Sequence, residues 1–186
     1  MMTTATSLTF LRIALIPVFV VFFYLPVSWS HIAVTAIFSI AAITDWLDGY
    51  LARKMNQTSA FGAFLDPVAD KLMVAAALVL LVEASATAWM AIPAVIIIGR
   101  EIAVSALREW MAEIGQGNLV AVSMLGKVKT TAQITAIILL LYREPLFGII
   151  PTEALGYIAL YIAAVLTLWS MWEYMSKAWP SLRDAS

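Results

Sequence analysis

Cysteine is absent from this chain, histidine occurs once, and charged residues make up only 12% of the 186 positions. Without cysteine there is no disulfide frame, no thiolate nucleophile and no thiolate metal site, and the redox compartment stays undetermined. The formal net charge of −1 removes the electrostatic basis for a nucleic-acid partner, so none is expected. The lone His31 falls next to Ser30 in an expected loop and is assigned no metal or acid–base role. The opening stretch MMTTATSLTF holds no basic residue, unlike the start of a secretory signal. The apolar run that follows, about twenty residues long, ends without a small-residue cleavage site and is expected to stay as a spanning helix.

What the chain has in abundance is apolar surface: 63% of its residues are hydrophobic and its mean hydropathy is +0.93. Ordinary soluble domains run near half apolar and a quarter charged, so the composition predicts an all-α integral membrane protein. Six helices are expected, over Leu8–Leu25, Ile32–Lys54, Ala60–Glu83, Trp89–Ile114, Ser123–Tyr142 and Ala154–Met175. Pro17 should kink the first and Pro93 lies within the fourth, both tolerable where neighbouring helices satisfy the freed carbonyl. Pro67 allows two readings: Asp66 caps a helix that begins there, or the helix starts earlier and bends. The four-residue step from Gly62 to Asp70 favours the second. A Gly-rich break over residues 115–118 separates helices 4 and 5. No repeat, linker or soluble module is visible, so residues 1–186 read as one six-helix domain.

Basic residues mark the sides of the membrane. Arg53, Lys54, Lys71, Arg108, Lys127, Lys129, Lys177 and Arg183 fall toward the joints after helices 2 and 4 or toward the termini. The remaining joints hold only Arg143. The positive-inside rule then places both termini, and the Asp-rich stretch between helices 2 and 3, on the cytoplasmic side. Trp29 and Trp89 fall at the expected outer boundary and Trp46, Trp110 and Trp179 nearer the inner one, as interfacial anchors do.

Against this apolar background one acidic stretch stands out, DWLDGYLARKMNQTSAFGAFLDPVAD, residues 45–70. Asp45 and Asp48 are spaced i,i+3 and so share a helix face; Gly62, Asp66 and Asp70 are spaced i,i+4 on the next helix. By helical rise Asp45 lies about 20 Å along helix 2, past the midplane of a core about 30 Å thick. Four like charges there cost several kcal/mol unless compensated. Ion pairing with Arg53, Lys71 and Arg100 would compensate in part, but three cations on three helices do not account for the fixed spacing. Bound hard cations such as Mg²⁺ account for it better, since carboxylate oxygens without His or Cys suit them. Two Asp pairs on facing helices have room for two ions, an arrangement suited to phosphoryl transfer.

A second cluster is basic: GREIAVSALREWMAE on helix 4 and VAVSMLGKVKTTAQ leading into helix 5. Arg100 and Arg108 share a face with Val104, and Lys127 and Lys129 open helix 5. Converging cations near an acidic metal site point to an anionic acceptor such as a phosphorylated alcohol, for which Arg is a natural clamp. Pairing of Arg100 with Glu101, or of Arg108 with Glu109, is not expected, because adjacent residues on a helix face apart.

The spacing Asp45-x-x-Asp48-Gly49-x-x-Ala52-Arg53, then eight residues, then Gly62-x-x-x-Asp66-x-x-x-Asp70, resembles the signature of the CDP-alcohol phosphotransferase family. With the two basic stretches and the opening LTFLRIALIP, the resemblance covers nearly the whole chain. Ala5-Thr6-Ser7 stands where the family usually has Ile-Pro-Asn. The resemblance implies the family's membrane fold and a homodimer in the inner membrane of a bacterium, with the active site on the cytoplasmic side. It implies CDP-diacylglycerol as donor, glycerol 3-phosphate as acceptor, and two Mg²⁺ or Mn²⁺ ions. Asp45, Asp48 and Asp66 are then metal ligands, and Asp70 both a ligand and the general base. Asp45, Asp48, Gly49, Ala52, Arg53, Ser59, Gly62 and Asp66 would meet the CDP moiety, with Arg53 on its phosphate. Gly49 and Gly62 also read as close-packing positions between membrane helices. Arg100, Arg108, Lys127 and Lys129 would hold the acceptor phosphate. Two other readings stand beside this one. A family member could use serine, inositol phosphate or phosphatidylglycerol as acceptor, or the chain could be a cation transporter, which no inverted repeat supports.

Overall fold

The computed structural model describes residues 4–55, 60–115 and 124–184. Among them the structure is helical throughout: α1 (Thr4–Tyr24), α2 (Ser30–Met55), α3 (Ala60–Ser85), α4 (Ala88–Glu113), α5 (Met124–Tyr142) and α6 (Thr152–Asp184). An isolated antiparallel bridge between Leu146 and Ile150 is the strand-like feature of the described residues. All six predicted helices are present. Pro17, Pro67 and Pro93 each lie inside a helix, so α3 starts before its proline and Asp66 does not cap it.

The described joints are held by hydrogen bonds. Between α1 and α2 the Ser30 hydroxyl donates to the Phe22 carbonyl at 2.7 Å. That tie draws His31 into the first turn of α2 instead of the expected loop. There its Nε2 lies 3.4 Å from Glu144 Oε1, with its ring edge-on to Tyr142. At the end of α4, Gly115 adopts φ +74° and its N–H meets the Ala112 carbonyl at 3.1 Å. Glycine takes this left-handed cap without steric cost, which is why the helix ends there. Before α6, the Thr152 hydroxyl donates to the Glu144 carbonyl at 2.7 Å.

α6 runs nine residues past its expected end at Met175. Tyr174 and Ala178 are buried against Val104, Leu107 and Met111 of α4, and Lys177 pairs with Glu173 one turn back at 2.6 Å. Helix–helix packing and an i,i+4 ion pair extend a helix whose hydropathy alone fades earlier.

The chain divides into two compact units, Met1–Ser85 with Ile137–Glu153, and Ala86–Ala136 with Ala154–Ser186. In the first, α1 packs on α2 and α3, and Phe19 meets Phe38 with ring centroids 6.3 Å apart. The second is built on α4, α6 and the first two-thirds of α5, around the cluster of Val104, Leu107, Met111, Tyr174 and Ala178.

Much of the exterior is apolar. Ile43, Val79, Trp89, Val95, Ile102, Trp169 and Trp172 are all more than half exposed. A soluble monomer rarely carries so much exposed apolar surface, whereas lipid accepts it. Ala88–Glu113 and Thr152–Trp179 are long and apolar enough to cross a bilayer; the apolar parts of α1, α2 and α5 are shorter.

Candidate active site

The acidic motif lies in the first unit. Asp45 stands on the later half of α2 and Asp70 ten residues into α3. What joins them is a residue the sequence analysis passed over, Arg12 of α1. Its guanidinium is buried, and the single nitrogen Nη1 donates to Asp45 Oδ1 at 2.8 Å and also to Asp70 Oδ1. Both carboxylates keep about two-fifths of their side-chain surface open, at 41% and 43%. Arg12 is therefore a compensating cation for these two acids that the sequence-derived set of Arg53, Lys71 and Arg100 does not include. A signal was available: an ionisable residue inside an apolar span is costly and needs a partner.

Among the described side chains, one Arg against two Asp leaves a net charge of −1, with two carboxylate oxygens converging on one nitrogen. Such donors, free of thiolate and imidazole, fit a hard divalent cation. Asp48, Gly49, Ala52, Arg53, Gly62, Asp66 and Lys127 fall within α2, α3 and α5, but their side chains lie outside what is described, and Ser59 lies outside the described residues altogether. Among the described residues no group of three acidic, His or Cys side chains forms a complete metal cage. The helices are unbroken through Asp48 and Asp66, so the motif's helical spacing is kept.

The basic cluster lies in the second unit. Arg100 and Lys129 are buried, at 7% and 3% exposure. Arg100 Nη1 lies 3.0 Å from Glu101 Oε1, and Nη2 donates to the Ser170 hydroxyl of α6 at 3.2 Å. Lys129 of α5 donates to the same Glu101 oxygen. The expectation that Arg100 and Glu101 stay apart is thus overturned. Lys129 draws the glutamate toward the interior, and the long Arg side chain curls around the helix to meet it. Arg108 leaves its neighbour Glu109 alone and reaches Tyr174, donating Nη2 to the phenol oxygen at 3.0 Å. The guanidinium carbons of Arg100 and Arg108 lie 5.6 and 5.2 Å from the Tyr174 ring centroid. Both sit within the range of cation–π attraction.

Three cations against one carboxylate give this cluster a formal charge of +2. Nε of Arg100 and Nε of Arg108 are buried without a hydrogen-bond partner. Buried donors in that state carry a desolvation cost that an incoming anion would relieve. Ser170 and Tyr174 were not among the sequence candidates. No local spacing on α6 marks them, because their role depends on which face α6 turns to α4.

Among the described residues, long helices and an exterior rich in apolar side chains fit an all-helical membrane-associated protein. A family model for CDP-alcohol phosphatidyltransferase matches residues 2–169. The chain belongs to that family, whose members are membrane-associated and use divalent metal ions. It is 54% identical over 179 residues to the CDP-diacylglycerol–glycerol-3-phosphate 3-phosphatidyltransferases of Escherichia coli strain K12 and Shigella flexneri serotype 5b strain 8401. The matched region covers 96% of this chain and 96% of each relative.

Proposed function

We propose that this protein transfers the phosphatidyl group of CDP-diacylglycerol to glycerol 3-phosphate, yielding phosphatidylglycerophosphate and CMP. The observation that carries the reading is the +2 cluster of Arg100, Arg108, Lys129 and Glu101, which matches the charge of a phosphomonoester near neutral pH. Serine offers no such dianion, and phosphatidylglycerol is a diester with a single negative charge. Inositol phosphate shares the monoester, and near full-length similarity to relatives named for glycerol 3-phosphate favours the latter.

In this reading Asp45, Asp48, Asp66 and Asp70 hold two divalent ions, Mg²⁺ or Mn²⁺. When bound, such ions neutralise the donor pyrophosphate and stabilise charge on the departing phosphate. Gly49, Ala52, Arg53, Ser59 and Gly62 complete the CDP site. Arg100, Arg108, Lys127 and Lys129 bind the phosphate of the acceptor and orient its free hydroxyl. Asp70 takes the hydroxyl proton as that oxygen bonds to the lipid-proximal phosphorus and the bond to CMP breaks. All six helices span the inner membrane of a bacterium as one transferase domain. Both termini and the chemistry face the cytoplasm, and the protein works as a homodimer. The placement of basic residues along the sequence supports that orientation.

The test is CMP release from CDP-diacylglycerol in mixed micelles, with glycerol 3-phosphate, inositol phosphate, serine or phosphatidylglycerol, each with and without chelator. Release is expected with glycerol 3-phosphate alone and only in the presence of a divalent ion. Preference for another acceptor, or activity untouched by chelation, would refute it.

A further inference from the structure

Resting on the metal reading of the acidic motif, we infer that Arg12 is a built-in competitor of the metal, an internal cation that holds Asp45 and Asp70 until a divalent ion displaces it. The two Oδ1 atoms that meet Arg12 Nη1 are hard-oxygen donors of the kind a divalent ion takes. A guanidinium nitrogen and a metal ion cannot occupy the same lone pairs, so binding of one weakens binding of the other. Arg12 comes from α1, outside the acidic motif, and its side chain is only 2% exposed. It is thus held at the acids by burial. Its partners, being two-fifths open, can be reached from outside while it cannot.

The arrangement has a physical purpose. Without metal, two carboxylates on neighbouring helices of an apolar protein repel each other, and removal of the buried Arg12 guanidinium between them is costly. Arg12 closes α1, α2 and α3 around the acids before any ion arrives, and the same contact lowers the site's affinity for that ion. Arg12 is a positioning residue, since it acts through the two aspartates.

The experiment compares wild-type protein with Arg12→Gln and Arg12→Lys in detergent. Mn²⁺ binding is read by electron paramagnetic resonance and thermal midpoints are read with and without saturating Mn²⁺. Loss of a neighbouring charge shifts a carboxylate site by a factor of ten or more, so Arg12→Gln should bind Mn²⁺ about tenfold more tightly. Arg12→Lys keeps the charge on a shorter side chain and should fall between the two. The metal-free midpoint should drop in both variants, and Mn²⁺ should raise it further than it raises the wild type. Folded variants that bind Mn²⁺ no more tightly than wild type, with both midpoints lowered equally, would overturn the inference and leave the metal reading intact. Absence of Mn²⁺ binding by the wild type would overturn both. If Arg12→Gln does not fold, Arg12→Lys decides alone.

Discussion

The hydroxyl of Tyr174 accepts a 3.0 Å hydrogen bond from Arg108, and the ring beneath that hydroxyl also faces Arg100. One α6 side chain therefore steadies both guanidiniums of α4. Hydrogen bonds to charged groups contribute about 1.5–3 kcal/mol, so Tyr174→Phe should raise the KM for glycerol 3-phosphate about tenfold. The KM for CDP-diacylglycerol should stay near wild type, and steady-state kinetics with each substrate varied in turn will show it. Equal rises in both constants would mean that Tyr174 serves general packing.

Arg108→Ala goes further, since it removes the charge as well as the contact. Losing a charged contact to the acceptor phosphate costs roughly 2–5 kcal/mol, which predicts an acceptor KM higher by about thirtyfold or more. Arg108→Lys should recover only part of the loss, because an ammonium cannot bond bidentately. Acceptor dependence that does not move would take Arg108 out of the phosphate site.

Asp70→Asn keeps the shape of the side chain and removes its capacity to take a proton. General-base catalysis is worth roughly 10²–10⁴-fold, so CMP release should fall by at least that much while the helical circular dichroism is unchanged. Turnover at the wild-type rate would exclude Asp70 as the base.

Met111 is fully buried in the cluster formed with Val104, Leu107, Tyr174 and Ala178. Met111→Ala leaves a cavity there and should cost about 2–5 kcal/mol of stability. Thermal denaturation in detergent should show the loss, and a midpoint equal to wild type would mean that this cluster closes around the gap.

The residues that were legible from sequence are those whose signal is local. Asp45 and Asp70, which the structure brings together, stand out by helical spacing in a chain that has few charges, and the apolar runs mark all six helices. Pro67 was readable because the acids keep step on both sides of it. Arg12 escaped because its partners lie 33 and 58 residues away, and only the packing of α1 on α2 and α3 joins them. Glu101 was misjudged for a related reason. Nearest-neighbour geometry on α4 says nothing about Lys129 arriving from α5 and turning the carboxylate inward. Ser170 and Tyr174 resemble any polar residues near the end of a long apolar helix until α4 is set beside them.

α6 is 33 residues long, about 50 Å of helix against a hydrocarbon layer about 30 Å thick. Its surplus turns bring Ala178 into the same packing as the ring that Arg108 leans on. Under the proposed function, acceptor recognition is thereby tethered to the far end of α6. Clipping that tail by a dozen residues, more than a hundred positions along the chain from Asp70, would loosen the grip on the soluble substrate and spare the lipid one.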